Sequence, residues 1–345
     1  MTSIKDVAHL AKVSPTTVSR VINKSNSVTP LIRERVWKAV EQLNYKPNLL
    51  ARSLRSQKSK LIGFLVPNIE NPIFSRLAKY VEESASRRGY NVILCNTGDD
   101  PEREKVYLDI LFQHQVEGII FSRVSDESSL FKSIHLESVP YVVLDRALDS
   151  ELSPTVKLDN FKAGYLAARH LVELGHQRIA CISGPQKIKL CRERLAGYQH
   201  ALLEAKILFP ETFMVEGDFK IEGGYTQGLS LLSKPFSDRP SAILCMNDLT
   251  AFGVMQAARE KGVTIPGHLS LTGIDDSPMS KIVYPPLTTV AQPFDRIARE
   301  GVEMMIKQIK GVKLRKKLIV IEPQLIIRSS TAPPTGNITE PFLYS

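Results

Sequence analysis

The sequence predicts a small all-α headpiece followed by a larger α/β domain made of two subdomains with parallel sheets. Two observations indicate this organisation. Residues 1–45 carry apolar side chains at helical spacing and contain no strand-like run. From Leu61 onwards, short apolar runs alternate with amphipathic helical segments, a pattern typical of βα units whose sheet is covered by helices on both faces.

The net charge is concentrated in the first part of the chain. The 345 residues have a net charge of +9. Residues 1–60 contain 12 Lys and Arg against 3 Asp and Glu, so they carry the whole excess and the remainder is neutral. A solvated basic tail is the alternative, but tails lack the apolar periodicity seen here. A compact basic head on a neutral body suggests a polyanionic partner, most simply DNA.

The segment IKDVAHLAKVSPTTVSRVI, residues 4–22, predicts two short helices joined by a tight turn. Ser14 is a suitable N-cap for the second helix, and Pro15 suits its first position. The apolar faces consist of Val7, Leu10 and Ala11 in the first helix and of Val18, Val21 and Ile22 in the second. The outward face of the second helix carries Thr16, Thr17, Ser19 and Arg20. Such a pair is a helix-turn-helix.

A third helix and a short hinge segment complete the N-terminal part. We expect Thr29 to cap a helix that begins at Pro30, and Asn44 to close it in a left-handed conformation. Leu49–Arg55 could form a two-turn helix, which is too short to be stable alone. The polar sequence SQKSK then links this segment to the α/β domain.

Eight apolar runs predict the strands of two parallel sheets. The first group comprises LIGFLV, NVILC, GIIFS and YVVLD, and the second comprises RIACI, MVEG, AILCM and LSLTGI. TTVAQ, KLIVIEP and LIIRS are further strand candidates, and a helix is expected from Phe294 to Ile309. The tail from Thr331 contains three prolines and no heptads, so we expect it to be disordered or draped on the surface.

Several classes of site lack sequence support. No G-x-G-x-x-G, P-loop or nucleophile elbow is visible. The four cysteines are far apart in the sequence, so we interpret them as free thiols. No Cys or His spacing suggests a zinc site. We expect His176 to have a structural role. No signal peptide or membrane span is expected. The sequence therefore predicts neither an enzyme nor a protein that needs a cofactor or a metal.

Ordered motifs along nearly the whole chain resemble the LacI/GalR family of bacterial transcription regulators. The matching segments are IKDVAHLAKVSPTTVSRVIN, NYKPNLLARSLRSQKS, LIGFLVPNIENPIF, GHQRIACISGP, RLAGY, ILCMNDLTAFG, LTGIDDSP and PPLTTVAQP. The resemblance implies a DNA-binding headpiece, a hinge helix, and an effector domain similar to periplasmic sugar-binding proteins.

The resemblance also implies that the chain crosses between two subdomains three times. We place the crossings near Asp159, near Thr289 to Ala291 and near Glu322. The predicted parts are a headpiece (1–46), a hinge and linker (47–60), a first subdomain (61–159 and 291–321), a second subdomain (160–290 and 322–330) and a tail (331–345).

The resemblance assigns DNA contacts to the headpiece and the hinge. Positions that read bases fall on Pro15, Thr16 and Arg20, and an arginine can donate two hydrogen bonds to guanine. Ser14, Thr17, Ser19 and Asn23 suit phosphates, although Ser14 could equally serve as a cap. In the hinge, Leu54 would wedge into the minor groove, with intramolecular packing as the alternative. Around it, small Ala51 would allow close approach to the DNA, and Arg52 and Arg55 would contact phosphates.

The resemblance assigns effector binding to residues that follow the strands of both subdomains. They are Asn71, Phe74, Asp145, Arg194, Phe219, Asn247, Asp275 and Gln292. Planar polar groups around an aromatic face suit a sugar, although either phenylalanine could simply belong to the core. Ile73 departs from the aromatic residue that sugar-binding members often carry beside Phe74. Asp275 and Asp276 look like a carboxylate pair, but no nucleophile or metal ligand accompanies them.

The sequence therefore predicts a ligand-responsive regulator in the bacterial cytoplasm, at the nucleoid when bound to DNA. We expect a repressor of carbohydrate-metabolism genes that binds a palindromic operator as a dimer, because the tail lacks the leucine heptads of the family's tetramers. A nucleobase or a partner protein could replace the sugar as effector. The alternative classes are a solute-binding protein of a transport system and a sugar-modifying enzyme with a DNA-binding head.

Overall fold

The computed structural model describes residues 2–22, 27–45, 59–122, 139–145, 153–208 and 210–335, apart from the side chain of Phe236. Contacts between residues divide the chain into two compact units, residues 1–59 and 60–345. None of the helices within the described ranges is long and apolar enough to cross a membrane.

The first unit contains the three predicted helices. They are α1 (Ile4–Leu10), α2 (Pro15–Ile22) and α3 (Pro30–Gln42). A capping box between Ser3 and Asp6 begins α1, and Ser14 Oγ accepts a hydrogen bond from Thr17 N at 3.1 Å to begin α2. Lys12 takes a left-handed conformation in the turn between them. The helix-turn-helix is thus confirmed.

The headpiece core differs from the prediction at one position of α1. Its buried residues are Val7, Ala8, Ala11, Val18, Val21, Val36 and Ala39. Leu10, predicted to belong to the apolar face, is 43% exposed, and Ala8 is buried instead. The buried face of α1 is therefore formed by Val7, Ala8 and Ala11, and Leu10 lies beside it, exposed.

The third helix is tied to the turn by an arginine that the sequence patterns did not identify. Arg35 Nη2 donates to the carbonyl oxygen of Ala11 at 2.5 Å and so satisfies the C-terminal end of α1. Thr29 occupies the N-cap position of α3, but its side chain makes no capping hydrogen bond. Asn44 has a φ of 45°, as expected for the residue that closes this helix.

The hinge helix expected at 49–55 lies outside the described residues. Its structure stays a prediction.

The first sheet is parallel throughout. Its strands are β1 (Leu61–Val66), β2 (Asn91–Asn96), β3 (Gly118–Phe121), β4 (Tyr141–Leu144), β5 (Thr155–Leu158) and β11 (Leu318–Ile321), in the order β11-β5-β4-β3-β1-β2. Helices α4 (Pro72–Ser86) and α10 (Phe294–Ile309) bury one apolar face of the sheet, and α5 (Pro101–Gln113) buries the other.

The second sheet has the same order of connections and one strand that runs the other way. Its strands are β6 (Ile179–Ser183), β7 (Met214–Glu216), β8 (Ala242–Cys245), β9 (Ser270–Asp275), β10 (Thr288–Ala291) and β12 (Gln324–Ile326), in the order β12-β10-β9-β8-β6-β7. The helices α6 (Asn160–Glu173) and α7 (Lys189–Glu204) cover one face, and α8 (Ile221–Leu232) and α9 (Asp248–Glu260) cover the other.

The expectation of a purely parallel second sheet is wrong at its edge, because β12 pairs with β10 in antiparallel register. The reason lies in the crossings. Strand β11 is parallel to β5, so it runs towards the carboxyl end of the first sheet, where the chain crosses to the second sheet. Only Glu322 and Pro323 separate β11 from β12. After so short a link, β12 begins at the crossing and must run away from it. Strand β10 runs towards the crossing, so the two strands are antiparallel.

The chain changes sheets at Asp159, at Gln292–Pro293 and at Glu322–Pro323. Ala291 pairs with Asp275 and Gln324, so it lies in the second sheet rather than at the start of the return to the first. These crossings bring the carboxyl ends of both sheets to the same place.

Part of the predicted tail is integrated into the second subdomain. Ala332 N donates to Ser270 Oγ at 3.0 Å, and Thr335 Oγ1 donates to the carbonyl of Gly267 at 2.9 Å. His176 Nε2 hydrogen-bonds the carbonyl of Ala332 at 2.9 Å, so the structural role predicted for this histidine is confirmed. Burial lowers the pKa of His176, which keeps the ring neutral. Residues 336–345 lie outside the described part of the chain.

Candidate functional site

A small cavity lies between the two subdomains, where strands of both sheets end. It is lined by Asn71, Ile73, Phe74, Asp145, Leu190, Arg194, Phe219, Asn247 and Asp275. Seven of the eight residues predicted to bind an effector are in this group. The eighth, Gln292, contacts the cavity indirectly, because its Nε2 donates to Asp275 Oδ1 at 2.6 Å. Leu190 was not predicted, since a leucine in a helical pattern carries no signal for a ligand.

Two asparagines at helix N-termini hold their amide groups in fixed orientations. Asn71 Oδ1 accepts from Ile73 N at 3.2 Å and begins α4. Asn247 Oδ1 accepts from Thr250 N at 3.0 Å to begin α9, while its Nδ2 donates to the carbonyl of Phe219 at 2.9 Å. Since both oxygens serve as caps, the amide NH₂ groups are what these residues can offer to a ligand.

Arg194 is the cation of the cavity, and it is 3% exposed. Its Nε donates to Asn160 Oδ1 at 3.0 Å and its Nη1 to the carbonyl of Met246 at 2.5 Å. A Cβ at Gly164 would lie 1.9 Å from the carbonyl oxygen of Arg194, so only glycine lets α6 approach α7 this closely. Sequence patterns missed Asn160, whose only signal is its position directly after a crossing.

Two carboxylates face the same space from different subdomains. Asp145 directly follows β4 and is 4% exposed, and Asp275 is the last residue of β9 and is 2% exposed. Both have a positive φ, of 66° and 133°, a strained conformation that places their side chains at the strand ends. Burial, followed by the charge of Asp248, raises the pKa of Asp275 well above its ordinary value, while Arg194 opposes this rise.

Behind Asp275 lies a buried polar network that sequence reasoning did not anticipate. Asp248 is fully buried and accepts hydrogen bonds from Ser277 N at 2.8 Å, Ser280 Oγ at 2.5 Å and Thr289 Oγ1 at 2.6 Å. Burial raises the pKa of Asp248 to about 6 against these hydrogen bonds, which lower it. The network fixes the loop that follows β9 to the strand β10.

Aromatic side chains form two sides of the cavity. Phe74 is 2% exposed and packs mainly in the core of the first subdomain, so the core alternative holds for most of its ring. Phe219, with a φ of 66°, packs against the short cluster that contains Leu190. A Cβ at Gly184 would lie 2.3 Å from the ring of Phe219, so this glycine makes room for the ring. Ile73 provides aliphatic contact where an aromatic wall would be expected.

The arrangement suits binding rather than catalysis. Asp275 lines the cavity, whereas its neighbour Asp276 forms an ion pair with Arg328. The two therefore do not act as a carboxylate pair. Across the described ranges, no group of three or more His, Cys, Asp or Glu residues could hold a metal ion. The cavity offers two carboxylates, one guanidinium and two amides beside aromatic surface, which can hydrogen-bond a small polar ring.

Two contacts join the subdomains beside the cavity, and both were missed by sequence reasoning. Arg76 Nη1 donates to the carbonyl of Asp276 at 2.7 Å, and Lys157 Nζ pairs with Glu193 Oε1 at 2.7 Å. The guanidinium of Arg76 also stacks over the ring of Phe294, 5.0 Å from its centroid. These contacts hold the subdomains together around the cavity.

The outer face of α2 carries the predicted DNA-reading residues in the headpiece. Ser14, Pro15, Thr16 and Arg20 are exposed, and Thr17 and Ser19 are half-buried. Ser14 does cap the helix, and its Oγ also hydrogen-bonds Thr17 Oγ1 at 2.9 Å. The other DNA-contact positions lie outside the described residues; they are Asn23, Ala51, Arg52, Leu54 and Arg55.

Comparisons with known proteins find relatives of both the headpiece and the α/β domain. Residues 3–48 match the bacterial regulatory proteins of the lacI family, and residues 168–331 match the periplasmic binding protein-like domain. The HTH-type transcriptional repressor PurR of Vibrio atlanticus is 37% identical over 332 residues, covering 96% of this chain and 98% of that protein.

Solved structures give the same result. The Lac repressor dimer bound to operator and the anti-inducer ONPF superposes with a TM-score of 0.85 at 30% identity, covering 96% of this chain and 99% of that one. A complex of the transcriptional regulator CelR with cellobiose has a TM-score of 0.73 at 29% identity, covering 96% of this chain and all of that one. The chain therefore belongs to the lacI family of bacterial regulatory proteins, as a ligand-responsive, DNA-binding transcriptional repressor and not an enzyme.

Proposed function

We propose that the chain is a dimeric cytoplasmic repressor of carbohydrate-metabolism genes, which binds a palindromic operator and takes a sugar as its effector. The single observation that carries the effector assignment is the cavity between the subdomains. Asp145, Arg194, Asn247 and Asp275 surround it with donors and acceptors.

The chemistry of the cavity supports a small polyol. The carboxylates accept hydrogen bonds from hydroxyl groups, and the guanidinium and amides donate to them. Phe219 supplies an apolar face. The similar regulator CelR forms a complex with cellobiose, which gives independent support for a carbohydrate.

The headpiece supports sequence-specific DNA binding by α2. Arg20 is exposed on that helix and can donate two hydrogen bonds to a guanine in the major groove. In a dimer, two such helices meet two half-sites, which favours an inverted repeat. We propose that Leu54 inserts into the minor groove at the centre of the operator, where Ala51 permits close approach and Arg52 and Arg55 contact phosphates. Asn23 and Ser19 would contact phosphates beside α2.

The effector would act through the crossings between the subdomains. A ligand changes operator affinity only by the difference in its affinity for two conformations, and a coupling of about 1–3 kcal/mol is typical. Closure around the cavity would move the first subdomains of the dimer and so gather or separate the two hinge segments.

A binding screen tests the effector assignment. Neutral monosaccharides and free nucleobases are compared by their effect on thermal unfolding of the full chain, and hits are titrated by calorimetry. A ligand at about 100 times its Kd stabilises the protein by about 2.7 kcal/mol. We expect a monosaccharide to stabilise the protein and the variant Arg194→Gln to lose the effect. The exposed, ion-paired Arg169 provides the matched control, Arg169→Gln. Stabilisation by nucleobases alone would overturn the sugar assignment and leave the cavity as the effector site.

Selection from random duplex DNA tests the operator assignment with the same protein. We expect an inverted repeat to be enriched, and Leu54→Ala to lose affinity for it while the fold persists. Enrichment of an asymmetric site, or retained tight binding by Leu54→Ala, would contradict the proposed dimeric reading.

A further inference from the structure

A second and larger pocket lies at the opposite end of the second subdomain from the effector cavity. Its walls come from segments next to the amino ends of the strands, including Pro240–Ser241 before β8 and Pro266–His268 before β9. The chain completes the wall with Pro334 and Thr335. The effector cavity lies at the carboxyl ends of the same strands, so the two sites are separate.

The floor of this pocket is apolar and firmly held. Leu232 is 1% exposed, and Pro240, Val263 and Pro266 add apolar surface beside it. One wall is braced by His176, whose Nδ1 hydrogen-bonds Ser241 Oγ at 2.9 Å and whose Nε2 donates to the carbonyl of Ala332 at 2.9 Å. The neutral ring therefore joins β8 to the C-terminal segment without adding charge.

The rim of the pocket is cationic. Arg178, Arg239 and Lys261 line it together with His268, and none of the described lining residues is acidic. Arg178 Nε donates to the carbonyl of Arg239 at 2.9 Å, and Arg239 Nε donates to the carbonyl of Lys234 at 2.5 Å. Each guanidinium is thus positioned through its Nε.

Arg178 and Arg239 differ from the ion-paired cations of this subdomain. Arg328 is paired with Asp276, Lys162 with Glu322 and Arg169 with Glu173. Within the described ranges, Arg178 and Arg239 have no carboxylate partner, so the Nη groups of both are available. Two guanidinium groups beside apolar surface can pair with a carboxylate, sulfonate or phosphate.

We propose that this pocket is a second ligand site, which binds a small organic anion by pairing its acidic group with Arg178 and Arg239 and packing its apolar body on Leu232 and Val263. The effector cavity instead combines two carboxylates with one guanidinium and two amides. The repressor would then respond to a neutral ligand in one pocket and to an anion in the other. The site is independent of the sugar assignment, because the two pockets share no residue.

Binding here would act on the C-terminal segment. Pro334 and Thr335 form part of the wall, and they follow the strand β12 that the chain enters after its third crossing. Anything that binds the folded pocket and not the unfolded chain stabilises the second subdomain.

A matched pair of fluorescent probes tests the proposal on the full chain. 8-Anilinonaphthalene-1-sulfonate carries a sulfonate on an aromatic body, and N-phenyl-1-naphthylamine has the same body without the charge. We expect the sulfonate probe to bind more tightly than the neutral one, with an affinity that falls as salt rises. In the double variant Arg178→Gln/Arg239→Gln, its Kd should increase about tenfold or more, with little change for the neutral probe.

Two controls keep the result specific. The double variant Arg169→Gln/Arg259→Gln removes the same charge from the same subdomain outside the pocket and should leave the sulfonate probe unaffected. Asn247→Ala alters the effector cavity and should also leave it unaffected. Thermal unfolding of each variant shows that the fold persists.

Three results would overturn the proposal. The first is equal affinity for the charged and neutral probes, which would mean an apolar groove only. The second is unchanged sulfonate binding by Arg178→Gln/Arg239→Gln. The third is binding that begins only after residues 336–345 are deleted, which would mean that the chain's own C-terminal segment occupies the pocket.

Discussion

Gln292 Nε2 donates to Asp275 Oδ1 at 2.6 Å, so a residue of the second crossing is bonded directly to a carboxylate of the effector cavity. Both side chains are buried, at 3% and 2% exposure. The other amide atom, Gln292 Oε1, accepts no hydrogen bond from the described residues. A ligand that bonds to Asp275 therefore acts on the segment that joins the two subdomains.

The first prediction removes this link. Gln292→Ala leaves a buried carboxylate without its donor, which should lower the free energy of unfolding by about 1–3 kcal/mol. Denaturant unfolding without ligand measures this loss. Gln199 is a suitable control, because among the described residues its amide hydrogen-bonds only the weak acceptor Met214 Sδ, at 3.6 Å, and Gln199→Ala should cost far less. Equal losses in the two variants would show that the Gln292–Asp275 hydrogen bond stabilises the fold no more than the Gln199–Met214 contact.

The second prediction concerns the pH dependence of Asp275→Asn. Burial and the charge of Asp248 raise the pKa of Asp275 in the folded protein, so the folded state holds this proton more tightly than the unfolded chain. The contribution of Asp275 to stability is therefore present at low pH and is lost as pH rises from 3.8 towards the raised value. Asparagine cannot ionise, so the variant should gain stability relative to the native chain across that window, on the order of 1 kcal/mol at neutral pH.

Urea unfolding at several pH values measures this difference, and Asp276→Asn supplies the control of opposite sign. Asp276 is paired with Arg328, so its amide variant should be less stable at neutral pH. A difference between Asp275→Asn and the native chain that does not change with pH would contradict the raised pKa.

The parts of the fold that sequence could predict are those with local signals. The helix Phe294–Ile309 has an apolar stripe, and Asn44 and Ser14 are common terminal residues, so these features were found where expected. The cavity residues follow strand ends, where family resemblance supplied their positions. Apolar stripes, helix-terminal residues and strand ends can all be identified from residues that are close together in the sequence.

The missed contacts join residues that are far apart in the chain. Arg76 meets Asp276 across 200 positions, and Arg194 meets Asn160 across 34. Asp248 is buried because Ser277, Ser280 and Thr289 close around it, and no periodicity indicates such a network. The direction of β12 likewise depends on where β11 ends in the other sheet.

The third prediction tests the contact between the subdomains. Arg76→Ala removes the hydrogen bond to the carbonyl of Asp276, which spans the two subdomains. If this contact forms only when the cavity is closed, its loss should weaken effector binding by about 1 kcal/mol, or roughly fivefold in Kd. Calorimetric titration of the effector measures the change. Lys79→Ala on the same helix removes an exposed ion pair with Glu83 and a contact over the ring of Tyr80, neither of which reaches the second subdomain, and should bind normally. An unchanged Kd in Arg76→Ala would mean that the contact persists in the open state.

The fourth prediction separates the two roles of Ser14. Aspartate caps helices about as well as serine, whereas alanine does not and costs roughly 1 kcal/mol. Ser14→Asp should therefore keep the amide protons of α2 protected from exchange, but its charge should repel a DNA phosphate and lower operator affinity. Ser14→Ala should lose protection as well. Thr29 makes no capping hydrogen bond, so Thr29→Ala should change little. Native operator affinity in Ser14→Asp would mean that Ser14 acts only as a cap.

The fifth prediction distinguishes base reading from charge in α2. Arg20 is exposed, and its bidentate contact with one guanine would contribute about 1–3 kcal/mol of discrimination. Arg20→Ala should therefore bind variants of one base pair with nearly equal affinity, while discrimination at the other positions remains. Lys12, exposed in the turn before α2, provides the comparison. If it contacts a phosphate, Lys12→Ala should weaken binding to all sequences alike and reduce the slope of log affinity against log salt by about one. Titrations of operator variants at several salt concentrations resolve the two cases, and a uniform loss in Arg20→Ala would assign Arg20 to the phosphate backbone instead of a base.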